Sequence, residues 1–281
     1  MSIGIVTDST CDLPQEMVAK HGITVIPAYI NIDGESYRDG VELSRQEFYR
    51  RLPDCQTPPT TSAPGPGTFT QVHRQLADEG ATEILSIHIS ETLSNIVNVA
   101  RMAAEETDFV PVTVMDSGQL TAGTGLLALT AAQAAAAGAS MGEIVDLLQD
   151  QILRTHSVAA LDTLEYLRRS GRVSWVRSGL GTLLKIKPLL TMYNGETSLE
   201  AVRTHKRAFA RLTQMVADLG PLEQVALVHT HAPEKAEELL QQARHLLPGG
   251  QVLFSEDVTP LIGAHIGPGT ACFVCVQARP A

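Results

Sequence analysis

The sequence predicts a two-domain α/β protein. An N-terminal, mostly parallel sheet with helices on both faces is followed by a C-terminal α+β domain with a mixed sheet. Three observations predict it. The 281 residues are close to two domains at about 150 residues each. From residue 1 to about 155, short apolar runs alternate with helix-length amphipathic ones, the rhythm of a parallel sheet covered on both faces. After about 155 the rhythm changes, and two β-rich runs flank Asn194-Gly195, the two-residue signal of an antiparallel hairpin. The predicted domains are 1–155 and 156–281, without a long linker, so they should pack closely around a cleft.

The elements follow in order. Ile3 to Val6 is a short apolar strand. Asp12-Leu13-Pro14-Gln15 marks a capped helix start, with Gln three residues after Asp and Pro in the first turn. Thr24 to Ile32 is β-rich and runs into Asp33-Gly34, a hairpin turn. Ser44 and Glu47 form a capping box opening a helix with Phe48, Tyr49 and Leu52. Residues 58–67 hold four prolines and predict a rigid loop without regular structure. A helix then runs to about Glu79, with strands at 84–89 and 111–115 and helices at 94–106 and 121–137. In the second domain, helix is predicted over 161–169, 206–218 and 234–247. Strands are predicted at 187–192, 198–203, 225–229, 251–255 and 270–277.

Composition narrows the function. Hydrophobic residues make up 44% and charged residues 19%, which excludes a disordered chain. Acidic residues number 31 against 21 basic ones, a net charge of −10. Such a chain does not hold nucleic acid by its phosphates, and 4% aromatics do not build base-stacking platforms. Cys272 and Cys275 lie on one predicted strand, where i and i+3 face opposite ways. They read as buried thiols without metal or disulfide, in keeping with a reducing, cytoplasmic setting. Met1 to Val6 has no basic n-region, so no signal peptide is expected. The uncharged stretch 117–142 is too polar to span a membrane and reads as packed helices.

Ligands of a parallel α/β sheet sit beyond the carboxyl ends of its strands. Thr7-Asp8-Ser9-Thr10, Ser90 to Asn95 and Asp116-Ser117 all fall there, each before a helix. Singly they read as helix caps; together with helix N–H groups they suit a small anionic head group. The proline-braced Thr60-Thr61-Ser62 would aim further hydroxyls at that edge. Gly263, Gly267 and Gly269 surround His265, which reads either as a turn histidine or as a donor to a carboxylate. No dinucleotide fingerprint, phosphate loop or nucleophile elbow occurs. His229-Thr230-His231 lacks companions for a metal site. Arg168, Arg169 and Arg172 end a helix, where cations complement the dipole; the same cluster would serve as a docking patch for an acidic partner.

In this order and spacing, IVTDSTCDLP (5–14), TTSAP (60–64), ISETLSN (89–95), VMDS (114–117), LEYLRRSGR (164–172), KIKPLL (185–190) and GAHIGPG (263–269) resemble the DegV family over nearly the whole chain. The resemblance implies a protein that binds one long-chain fatty acid between its domains, with no cofactor or metal. Thr61 and Ser94 would hold the carboxylate and His265 would lie close to it, with Ser62, Asn95 and Gly267 alongside. Asn95 stands where the family commonly has Gly, and Ala63 where it commonly has Gln. The sequence is similar to the fatty-acid-binding subunit of bacterial fatty acid kinase. It implies a ligand such as palmitate, stearate or oleate whose carboxylate is presented to a separate ATP-binding kinase subunit for acyl-phosphate formation. The residues leave two alternatives open. One is an esterase-like enzyme with Ser94 as nucleophile, His265 as base and Asp8 or Asp116 as orienter. The other is a regulatory lipid-binding protein without a kinase partner.

Overall fold

The computed structural model describes residues 2–171 and 186–279. Strand β1 (Ile3–Asp8) pairs in parallel with β2 (Ile23–Ile26) on one side and β6 (Glu83–His88) on the other; β6 pairs in parallel with β7 (Val112–Asp116). The sheet is covered on both faces. Ile5, Leu85 and Ile87 point to helix α5 (Ala122–Ala136), while Val6 and Ile84 point to α3 (Pro66–Asp78) and α4 (Ile96–Glu105). Helix α5 is apolar and buried around its circumference, as expected of a helix enclosed between two layers. Gly125 lets it sit there: a Cβ would lie 2.3 Å from the Cys11 carbonyl oxygen. Helix α6 (Met141–Ile152) follows, opened by a capping box of Ser140 and Glu143.

Strands β8 (Thr155–Ala160), β9 (Lys187–Tyr193), β10 (Glu196–Val202), β11 (Leu222–His229), β12 (Ser255–Asp257) and β13 (Ala271–Gln277) form a mixed sheet in the order β10-β9-β8-β13-β11-β12. Only β11 and β12 pair in parallel. Its outer face packs on α8 (His205–Asp218) and α9 (Pro233–Ala243) through Phe209, Leu212, Val216 and Leu239. Its inner face, including Leu190, Val228, Cys272 and Val274, turns to α5 and the first sheet. Cys272 and Cys275 therefore lie in different core clusters, both as free thiols, as strand periodicity requires.

A third, antiparallel sheet joins β3 (Tyr29–Ile32) to β4 (Glu35–Arg38) and to β5 (Thr60–Ser62). It packs on α2 (Arg45–Arg51) and α10 (Pro260–Ile266) through Ile30, Ile32, Phe48, Tyr49 and Ala264.

Several local expectations are corrected. The proline-rich stretch is not devoid of regular structure: three β-branched or polar residues between Pro59 and Pro64 form β5, and an edge strand tolerates flanking prolines. The β-rich run 24–32 is two strands in different sheets, parted at Pro27-Ala28. Asp12 does not cap α1 (Gln15–Lys20), whose N-cap is Pro14. Asp12 is fully buried with φ 49°, because partners distant in sequence claim its carboxylate. Residues 155–160 are strand, and the following helix α7 is confined to Glu165–Ser170. The last short strand falls at Ser255–Asp257 rather than 251–255. The glycine-flanked His265 is not in a turn: Gly263 to Ile266 continue helix α10, and left-handed backbone begins at Gly267 with φ 75°.

Candidate functional site

A cavity opens where the first sheet's C-terminal loops, β5, α10 and the inner face of the mixed sheet converge. Its volume is about 240 Å³. Strand alternation builds one wall: Ala159, Leu190, Met192, Val228 and Cys272 share the inner face of the mixed sheet. Leu93, Ile96, Leu261, Ile262 and Ile266 line other parts of the cavity. Among the described residues the lining contains no Asp, Glu, Lys or Arg.

Thr61, Ser62, Ser94, Asn95 and His265 all line this cavity. Thr61 is placed by the pairing of β5 with Ile30 of β3, and His265 by the last turn of α10. Their side chains meet, Thr61 Oγ1 to His265 Nε2 at 3.0 Å. Ser94 Oγ accepts from the Ile96 N–H at 3.3 Å, which leaves its hydroxyl hydrogen for donation. Asn95 Oδ1 accepts from Asn98 Nδ2. Gly267 is not in the wall: it ends α10, donating its N–H to the Gly263 carbonyl, beneath the Tyr166 ring. Arg168 and Arg169 are exposed on α7, Arg169 paired with Glu165. Arg172 lies outside the described residues.

The carboxylates offered as orienters are engaged elsewhere. Asp116 accepts from the Gly118 and Glu91 N–H groups. Asp8 accepts from the Thr10 and Ile89 N–H groups and from the Thr10 hydroxyl, and meets His88 Nδ1 at 2.9 Å. His88 Nε2 in turn meets Ser86 Oγ at 2.7 Å. Burial alone would raise the Asp8 pKa, but His88 and Thr10 hold it below the ordinary value. Ser86, His88 and Asp8 thus form a serine–histidine–aspartate chain, yet all three are fully buried. It acts on the site by position: Asp8 ties the turn carrying Thr10, a lining residue, to the start of the loop carrying Ser94. Alternating polar residues in the otherwise apolar strand 84–89 were the available signal, since Ser86 and His88 share a face.

A second buried node lies behind the wall. Asp12 accepts from the Thr121 hydroxyl at 2.5 Å and the Thr259 N–H at 2.8 Å, and Arg45 stands 3.2 Å away. Burial pushes the Asp12 carboxyl up to about 7 despite Arg45 and these hydrogen bonds. Thr259, the N-cap of α10, also donates its hydroxyl to Asp39. Thr121 lines the cavity with φ 48°. No local pattern signals this node, because its members come from five separate segments.

Among the described residues there is no group of three or more His, Cys, Asp or Glu able to hold a metal ion, and no helix long and apolar enough to cross a membrane. The arrangement suits a largely apolar ligand with a polar group that hydroxyls and an imidazole can receive.

Comparison with known proteins follows the same line. Residues 2–278 match the family model described as "Uncharacterised protein, DegV family". A DegV domain-containing protein of Streptomyces coelicolor is 37% identical over 270 residues, covering 95% of each chain. Among solved structures, a fatty-acid-binding DegV family protein from Thermus thermophilus is 31% identical with a TM-score of 0.89, covering 99% of this chain and 100% of its own. DegV of Bacillus subtilis, described as a fatty acid binding protein, is 29% identical with a TM-score of 0.88, covering 99% and 100%.

Proposed function

The chain belongs to the DegV family, and from that premise we propose that it binds one long-chain fatty acid, such as palmitate, stearate or oleate, in this cavity. The observation that carries the reading is a largely apolar wall, without Asp, Glu, Lys or Arg among the described residues, into which Thr61, Ser62 and Ser94 bring hydroxyls and His265 an imidazole. Hydroxyl donors hold a carboxylate without a buried counter-charge. The tail needs only apolar surface. Burying roughly 15 methylenes contributes on the order of 12 kcal/mol gross at about 0.8 each, reduced by the cost of ordering the chain. Native mass spectrometry of the purified protein should show an adduct of fatty-acid mass. A ligand-free protein that also fails to take up palmitate or oleate refutes the reading.

The protein then serves as a carrier that presents the carboxylate to a separate ATP-binding kinase subunit. Forming an acyl phosphate requires ATP and magnesium positioned by protein groups, and this sequence contains no phosphate loop. Arg168 and Arg169 are exposed on α7, and with Arg172 they would dock an acidic surface of that partner. Such association weakens as salt rises. The assay combines loaded protein, the source organism's kinase subunit and ATP, and measures acyl phosphate. Reversing the charge at Arg169 and Arg172 should lower turnover with fatty acid binding intact. Unchanged turnover and salt dependence would remove the docking role.

A further inference from the structure

Thr270 immediately precedes β13, is fully buried and lines the cavity. Its backbone is held on both sides by Thr230. The Thr270 N–H donates to Thr230 Oγ1 at 2.8 Å, and its carbonyl accepts from the Thr230 N–H at 3.0 Å. Its own hydroxyl has no hydrogen-bond partner among the described residues. Of the buried side-chain polar atoms left in that condition there, Thr270 Oγ1 is the one whose residue lines the cavity. An unpaired buried hydroxyl is unfavourable for the empty protein. Val228, Val258, Ile266 and Cys272 stand in the same wall, so apolar packing does not call for an oxygen here.

Two other lining threonines differ. Thr10 and Thr121 donate their hydroxyl hydrogens to Asp8 and Asp12, each at 2.5 Å. Their hydrogens are committed to buried carboxylates, whereas that of Thr270 is not. We propose that Thr270 is a further ligand-contacting residue of the cavity, donating its hydroxyl hydrogen to an oxygen of the bound lipid. This deepens the fatty-acid reading and rests on it. The acceptor is either a carboxylate oxygen or a hydroxyl carried on the acyl chain. The chemistry is the same for both, a ligand oxygen meeting a donor already fixed by its backbone.

The test compares wild type with Thr270→Val, Thr270→Ala and Thr270→Ser by titration calorimetry, with palmitate and with a series of hydroxyhexadecanoic acids. Thermal unfolding is followed with and without lipid. Ligand-free Thr270→Val should melt at or above wild type, since it removes an unpaired hydroxyl. Its affinity for palmitate should fall by about five- to a hundredfold if the carboxylate is the acceptor, and Thr270→Ser should restore it. If the acceptor is a chain hydroxyl, palmitate binding is unchanged and only the hydroxylated acids lose affinity, by a similar factor. Thr270→Ala reports the same loss should the added methyl of valine prevent folding. Variants that bind every acid as wild type does overturn this proposal alone. A wild type that binds none of them overturns the fatty-acid reading with it.

Discussion

Thr61 and His265 stand 204 positions apart in the chain, yet their side chains meet at 3.0 Å. The contact joins a three-residue edge strand between prolines to the last turn of a seven-residue helix. Both groups line the cavity, so the hydrogen bond orients the polar part of the site before any ligand arrives.

Replacing Thr61 or Ser94 with Ala should weaken fatty acid binding by roughly 1–3 kcal/mol, the scale of leaving a charged group short of one donor. Thr61→Ser should retain most of the affinity. Fluorescence or calorimetric titration with palmitate decides. Unchanged affinity in both Ala variants would show that neither hydroxyl receives the carboxylate.

Asp8→Asn should cost about 2–4 kcal/mol of folding stability, because the buried carboxylate receives backbone and hydroxyl donors and faces His88. Amide exchange should rise selectively in the 9–11 turn and the 89–95 loop, both tied to Asp8. Equilibrium urea unfolding with hydrogen-exchange mass spectrometry measures the two effects. A uniform rise across the chain would contradict the local role.

Gly267→Ala combines two penalties. Its φ is 75°, and a Cβ would lie 2.2 Å from Tyr166 Cδ2. The variant should lose on the order of 2–4 kcal/mol. Adding Tyr166→Ala should recover part of that loss, leaving the backbone penalty. Denaturation of the single and double variants separates steric from conformational cost; no recovery would mean the ring yields freely.

Asp12 has a folded-state value of about 7 against an ordinary 3.8. Between those values the native state holds the extra proton, so this group's contribution falls as pH rises from about 4 to about 7 and is level above. Wild type should therefore lose stability relative to Asp12→Asn across that window. Urea midpoints at intervals from pH 4.5 to 8.5 measure the difference. A difference independent of pH would place the Asp12 titration outside the window.

The sequence by itself determined the strand–helix alternation, the Asn194-Gly195 hairpin, the opposed facing of Cys272 and Cys275, and the family. Each follows from local periodicity, turn chemistry or motif order, which the chain carries without reference to distant partners. It also brought Thr61, Ser62, Ser94, Asn95, His265 and Gly267 forward as one group, of which all but Gly267 line one cavity. Only the tertiary structure decided what those patterns left open. Residues 60–62 became a strand because β3 offered a free edge. Asp12 left the helix cap because Arg45, Thr121 and Thr259 converge on its carboxylate. Asp8 went to His88 rather than His265, and Thr270, a residue of the cavity wall, was left with a buried hydroxyl that has no partner among the described residues. The physical reason is common to all four. Burial makes every polar group compete for partners across the whole fold, and that competition is settled by three-dimensional proximity, which no local spacing encodes.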